Sequence, residues 1–463
     1  MIVFSGFAII LFFVGFLSPL NPINGTGMSG TDSSVYRYIG KAMLEGTTIY
    51  KDVFDHKGPI MYFLNAIGYA INPLWGIWII NTFLTFVFFV YIYRIAKLYS
   101  DSIFVTSLSA LVALFQYTNC YNGGNTVEGY CVVFIAIQLY VFLKFLRNND
   151  IESYNAFLCG ISAAIVCMLK INTIIVCVVY IPYVFYLLIK NRQYKQLLSI
   201  ATGFVLGFFS VIIPIVIYLV YKGAFSHFID CYFLFNFEYV SATTQERVMA
   251  FFHFLKNIVI LIPLIFLVYR VIKYRKSIDI AAIIFILFSL LTIASPGRKY
   301  GYYAIILAPT IVYPCVVLIE KIITLINNKT IRSLFVVMVT ICAAFIFIYR
   351  PVKSSYEAPT WTNEYIVVSK IVQENTQPTD KISVVGNANL VYLLSERDAA
   401  TKYNFVPNAL LLEAVSEIKQ AEPKLIVLAN KGEDVLKDFF VDKNYRNVYM
   451  SGQVFKVWVK DSK

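Results

Sequence analysis

The chain reads as a series of apolar runs separated by short polar stretches, and the runs have the length a bilayer demands. A hydrocarbon core of about 30 Å needs roughly 20 apolar residues in a helix rising about 1.5 Å per residue. Such runs fall at about 2–19, 72–93, 102–118, 131–146, 156–169, 173–189, 197–220, 250–269, 279–295, 302–320 and 333–349. The first lacks a basic leader and a small-x-small cleavage site, so it reads as an anchor and not as a removable signal. Beyond residue 350 the pattern changes. Short apolar runs at 381–386, 425–428, 447–450 and 454–459 follow or flank helical stretches around 363–375 and 408–421. That alternation predicts a small α/β sheet ending in an antiparallel hairpin.

The stretch 156–190 is too long for one span and short for two, and charge decides between them. Arg94/Lys97, Lys144/Arg147, Lys190/Arg192/Lys195, Arg270/Lys273/Arg275/Lys276 and Lys321/Lys329/Arg332 should share the cytoplasmic side. Only a two-segment hairpin at 156–190 keeps them together. The reading is a multi-pass α-helical membrane protein of about eleven spans, residues 1–350, with the N-terminus cytoplasmic. A soluble extracytoplasmic α/β domain, residues 351–463, follows.

Composition agrees and narrows the function. Of 463 residues, 59% are hydrophobic and 14% charged, against about 25% charged in a soluble protein, and the mean hydropathy is +0.69. A water-soluble enzyme is excluded. Lys and Arg outnumber Asp and Glu by 25 to 13 in residues 1–350 and balance at 14 each afterwards. The basic excess therefore lies among the apolar runs and not on a soluble face, which excludes a nucleic-acid partner and points to the lipid bilayer. The eight cysteines lie mostly in apolar runs without metal-ligand or disulfide spacing.

The unusual residues gather in the external loops. In the first, 20–71, Thr31 or Asp32 can cap a surface helix carrying Tyr36, Ile39, Met43 and Leu44 at helical spacing, stopped by Gly46. Pro59 suits the first turn of a second helix, after the cluster Asp55-His56-Lys57. By themselves, Asp32 reads as a helix cap and the cluster as a solvated loop. Glu128 opens the span after the second external loop, where a carboxylate at membrane depth is expensive and a functional candidate. Lys170 and Asn172 sit at the tip of the short hairpin, and Lys170 either snorkels or binds an anion. Arg298 and Lys299 add cations near Tyr302 and Tyr303. Acids beside cations at an outer interface suit transfer of a sugar from a phosphate. A carboxylate takes the acceptor's proton, and cations or a divalent metal receive the departing phosphate.

Asp32 followed by Tyr36-Arg37, Gly40-Lys41, Leu44, Gly46, Tyr50, Asp52 and Phe54-Asp55-His56-Lys57-Gly58-Pro59 resembles the first external loop of GT-C glycosyltransferases. These are the polyprenyl-phosphate-sugar enzymes related to protein O-mannosyltransferases and the lipid A aminoarabinose transferase. Gly124-Asn125-Thr126 with Glu128 and Tyr130, Leu169-Lys170 with Asn172, and Gly297-Arg298 with Tyr300 and Tyr302-Tyr303 are similar to later landmarks of the bacterial branch. Tyr392-Leu393-Leu394-Ser395 with Arg397, then Thr401-Lys402-Tyr403, is similar to its tail. The resemblance implies a GT-C-like fold in a bacterial plasma membrane and inverting transfer from a polyprenyl-phosphate sugar to a glycan, lipid or protein acceptor. Asp32 would be the catalytic acid-base residue and Glu128 the second acid. Lys57, Lys170, Arg298 and Tyr302 would hold the donor phosphate. The family pattern has His-Tyr where this chain has Tyr302-Tyr303. Asp55 and His56 are candidate ligands for Mg, Mn or Zn, although three histidines in the chain argue against a dedicated cage. A lipid-linked sugar flippase should show repeated, Gly/Pro-interrupted spans with mid-membrane polar groups; a polysaccharide polymerase should carry a large late loop rich in Arg. Neither pattern is evident.

Overall fold

The computed structural model describes residues 15–16, 18–24, 30–148, 151–239, 242–326, 359–451 and 454–461, with scattered residues between 328 and 345. They form two compact units. One takes the described residues of Met1–Ser18, Ile79–Ile217 and Val240–Lys353; the other takes those of Pro19–Trp78, Tyr218–Tyr239 and Ser354–Lys463. The division does not follow the break expected at 350, because the first external loop and the segment 218–239 fold with the tail.

In the first unit, the nine expected spans between 72 and 320 all fall on helical segments. Five helices among the described residues are long and apolar enough to cross a bilayer: Gly76–Lys97, Val127–Asn148, Ile171–Lys190, Tyr194–Tyr221 and Ser277–Ala294. Two bent pairs raise the number to seven, the inventory of a multi-pass membrane protein. The expected span 2–19 lies largely outside the described residues, and 333–349 is described only in part. The hairpin at 156–190 is present as Ser153–Cys167 and a second arm ending in Ile181–Lys190, whose first turn holds Pro182.

Two spans are not straight. The run at 250–269 is a helix Thr244–Leu255 and a helix Ile258–Tyr274 at 85° to each other. Asn257 makes the break: its side chain accepts from the Val259 N–H and starts the second helix. The run at 302–320 opens as a 3-10 turn, Gly301–Leu307, and bends by 71° into Val312–Leu325 across Pro309, where a proline nitrogen cannot donate to the helix.

Lipid offers helices little reason to associate, so close backbone contact and buried polar bonds must hold them. Gly160 on helix Ser153–Cys167 and Gly207 on helix Tyr194–Tyr221 supply the contact. A Cβ on Gly160 would lie 2.0 Å from the Phe204 carbonyl oxygen, and one on Gly207 2.1 Å from that of Phe157. The polar bond is an ion pair in which Arg270 Nε donates to both oxygens of the wholly buried Asp279, at 3.1 and 3.2 Å. The Tyr313 hydroxyl completes it at 2.6 Å.

In the second unit, the helix Gly30–Leu44 lies against the helix Pro59–Ile71; a Cβ on Gly40 would meet the backbone of Asn65 and Ala66 at 2.7 Å. Helix Gly30–Leu44 begins two residues before Asp32, which places Asp32 in the first turn and not at the cap. Pro59 does occupy the start of its helix, and Gly46, at φ +100°, ends the preceding turn.

The tail holds four strands: β1 (Ile382–Val385), β2 (Leu425–Ala429), β3 (Tyr445–Ser451) and β4 (Phe455–Lys460), in the order β1-β2-β4-β3. β1 and β2 are parallel, with Ile382 opposite Leu425, and β3 and β4 form the expected antiparallel hairpin. Helices Leu411–Ala421 and Glu433–Asp442 close a core of Val385, Ile418, Ile426, Leu428 and Phe440, where Trp458 stacks on Phe440 at 4.3 Å. A second core joins the first loop to the tail, with Phe54 packed against Tyr403, Val406 and Ala414 and edge-on to Phe235.

Gly207→Ala is expected to lower the melting temperature in detergent and to broaden the monomer peak on size exclusion, because the added methyl group cannot coexist with the Phe157 carbonyl. Leu206→Ala, one position away on an exposed side chain, should change neither.

Candidate functional site

The second unit places Asp32 in the first turn of its helix, where the N-terminal end favours a carboxylate. One carboxylate oxygen, Oδ1, accepts a hydrogen bond from Asn387 Nδ2 at 3.0 Å. Asn387 belongs to the turn that leaves β1, so the tail touches the acid that the first loop carries.

Asp55, His56 and Lys57 form a chain of charge beside it. The His56 N–H donates to Asp55 Oδ1 at 2.6 Å, and ring Nδ1 lies 3.2 Å from the same oxygen. On the other side, His56 Nε2 lies 2.5 Å from Lys57 Nζ. An ammonium can only donate, so the ring accepts at Nε2 and carries its proton on Nδ1, towards Asp55. Burial, then the Lys57 charge, push the His56 ring below its ordinary pKa, against the pull of Asp55 and Asp32. Burial would raise Asp55, but the bond from His56 and the charges of His56 and Lys57 outweigh it and hold the carboxyl below the usual range. The result is a carboxylate, a neutral imidazole and an ammonium in line.

The backbone of this segment is fixed from several sides. The Tyr50 hydroxyl donates to the Lys57 carbonyl at 2.7 Å, and Tyr62 accepts from the Lys57 N–H at 3.1 Å. Asn236, just after the π-helical turn Ile229–Leu234, donates to the His56 carbonyl at 2.7 Å. The Phe54 N–H donates to the Lys402 carbonyl at 2.8 Å.

In the membrane unit, the loop before Glu128 turns through four successive residues of positive φ, Asn122 to Asn125. Asn81 holds this turn by accepting from the Asn125 N–H at 3.1 Å and by bonding the Tyr121 hydroxyl. The Tyr130 hydroxyl donates to Asn125 Oδ1 at 3.0 Å. Glu128 thereby enters the first turn of its helix, buried, and pairs with Lys170 at 2.5 Å. Lys170 Nζ also lies 4.1 Å from the centroid of the Tyr303 ring. Asn172 donates to Ser295 Oγ at 3.3 Å, tying the hairpin tip to the loop that carries Arg298. Arg298 itself is exposed after the turn at Gly297 and lends its charge to Glu246.

The structure thus groups Asp32 with Asp55, His56 and Lys57 in one unit, and Glu128 with Lys170 in the other. Tyr303 faces Lys170, and Tyr302 packs against Tyr300 and Tyr303. Sequence reasoning missed Asn387, Asn236 and Tyr62. Only Asn387 carried a usable signal, its place at the carboxyl end of a strand in an open α/β sheet, where such folds present ligands. Arg397, part of the tail motif, is buried on Thr376 and the Ser395 carbonyl and serves the fold. Among the described residues no three His, Cys, Asp or Glu side chains converge as a metal site. A cation at Asp55 and His56 would have to displace the Lys57 ammonium, so this donor set as arranged does not fit one.

Residues 56–218 match the family model of dolichyl-phosphate-mannose-protein mannosyltransferases. The backbone is similar to ArnT from Cupriavidus metallidurans bound to undecaprenyl phosphate, with a TM-score of 0.66 at 12% identity over 100% of this chain and 98% of that one. Against the apo state of the same protein the TM-score is 0.63 at 11% identity, over 99% and 97%. The Archaeoglobus fulgidus oligosaccharyltransferase, in complex with Zn and sulfate, gives 0.52 at 13% identity over 98% of this chain and 72% of that one. No curated protein sequence matches the chain.

The depressed His56 pKa has a pH signature. The unfolded chain binds a proton at about pH 6.5 and the folded one resists it, so the stability His56 contributes is present above that value and is lost as pH falls below it. The melting temperature should fall between pH 7.5 and 5.5, and fall less in His56→Gln. Equal slopes would show that this ring does not set the dependence.

Proposed function

Because the chain has the fold of the GT-C glycosyltransferases, we propose that it moves a sugar from a polyprenyl-phosphate donor to a hydroxyl of an envelope acceptor, a glycan, lipid or protein. The site would lie on the outer face of the bacterial plasma membrane, with the N-terminus in the cytoplasm, an orientation that the basic residues of the short loops support. Undecaprenyl phosphate bound to the similar ArnT supports the donor class.

In this reading Asp32 takes the proton of the acceptor hydroxyl while the acceptor oxygen attacks the anomeric carbon. The bond from that carbon to the phosphate oxygen breaks on the opposite face, the electron pair leaves with the lipid phosphate, and the configuration inverts. Lys57, Lys170 and Arg298, with Tyr302, receive the phosphate charge. Glu128 is the second acid and keeps Lys170 in place. No step runs through a metal. The observation that carries the reading is Asp32 itself, a helix-start carboxylate held by a neutral amide within electrostatic reach of the His56–Lys57 pair.

The test is transfer of radiolabelled sugar from a panel of polyprenyl-phosphate sugars by purified protein in detergent. Asp32→Asn should insert and fold normally and lose about 10²- to 10⁴-fold in rate, the range for removal of a general base. Turnover that persists in the variant would move the base to Asp55 or Glu128. Tight donor binding without turnover by the unmodified chain would favour a lipid-linked sugar flippase. Lys57→Ala and Arg298→Ala should each raise the donor KM about tenfold, the loss of one charge-assisted contact, with little change in melting temperature.

A further inference from the structure

The tail contributes a residue to the reaction. We infer that Asn387 is the positioning residue of Asp32: its amide fixes the carboxylate rotamer, leaving the second oxygen to take the acceptor proton. The inference deepens the proposed function and rests on Asp32 being the base.

Three observations carry it. Asn387 Nδ2 is 3.0 Å from Asp32 Oδ1, a bond that closes over 355 residues of chain. The orientation of the amide is set by chemistry. Turned the other way, its carbonyl would face a carboxylate with no proton between them, and among the described residues Asn387 Oδ1 has no partner to draw it there. The backbone beneath is pinned. Gly386 adopts φ +135°, and a Cβ there would lie 2.7 Å from the Ala429 carbonyl oxygen at the end of the neighbouring parallel strand. The Gly386 carbonyl in turn accepts from the Val406 N–H at 3.3 Å. Asn387 therefore stands on a turn that two strand ends and a loop hold still, as an orienting group must.

An amide serves here better than a cation would. An ammonium or guanidinium at this position would pair with the carboxylate and weaken it as a base, whereas a neutral donor orients the group and keeps its charge for the acceptor proton.

The test is a variant series at position 387, assayed for sugar transfer with Asp32→Asn alongside, each protein checked by its melting temperature. Asn387→Asp is nearly isosteric and cannot donate when ionised; Asn387→Ala removes the group; Asn387→His restores a donor. The expected result is a fall in kcat of about 10- to 100-fold for the Asp and Ala variants, as loss of a hydrogen bond to a charged group implies. The KM for the lipid donor should stay within about twofold, and the His variant should recover part of the rate. A purely packing role would leave kcat unmodified in the Ala variant, which adds no charge beside Asp32, and that result overturns the inference while the loss in Asp32→Asn still supports the proposed function. Full activity in Asp32→Asn overturns both.

Discussion

The site depends on the docking of the helix Gly30–Leu44 against the tail. The hydroxyl of Tyr38 accepts from the Ala399 N–H at 2.8 Å, and its ring lies 4.9 Å from that of Tyr392. The hydroxyl of Tyr392 in turn accepts from the Val384 N–H inside β1. Two phenols thus link the helix that carries Asp32 to β1, the strand that leads into the turn bearing Asn387. Lys41 adds a partly exposed pair with Asp398 at 3.4 Å, whose contribution is small beside the buried phenols. Because both partners of the Asp32 bond hang from this one joint, their alignment is a property of the core and not of a mobile loop.

Charge follows a second rule. A lone ion in a low-dielectric interior is costly, and each deeply placed ion here has company. Asp279 has Arg270 and Tyr313; Glu128 has Lys170; Asp55 has His56, backed by Lys57. Asp32 differs, being half-buried and held by a neutral amide. Among the described residues no cation pairs with it directly, the state that the proposed base requires.

Much of this was legible in the sequence and the remainder was not, for physical reasons. Apolar runs mark where a helix can lie in lipid, so the nine runs between 72 and 320 all coincide with helical segments; they do not mark bends, because apolar residues resume directly after Asn257 and Pro309. Short apolar runs marked the four strands described in the tail. The Asp55-His56-Lys57 cluster and Glu128 with Lys170 could be named as candidates because charges are rare in such a chain. Partners brought from afar could not. Asn387 is legible only as a turn residue at the carboxyl end of a strand, and nothing local ties it to Asp32. That the Tyr303 ring lies under Lys170 depends on the phase of a 3-10 turn, which residue types alone do not set.

The span of the Asp32–Asn387 bond also orders the protein's assembly. The helix bearing Asp32 leaves the ribosome 355 residues before its partner. Every intermediate length of chain holds the acid without the amide, so a nascent chain carries Asp32 unoriented. Orientation comes only when the tail folds against the helix Gly30–Leu44. A truncation before β1 would therefore leave Glu128 and Lys170 paired and Asp32 without its amide.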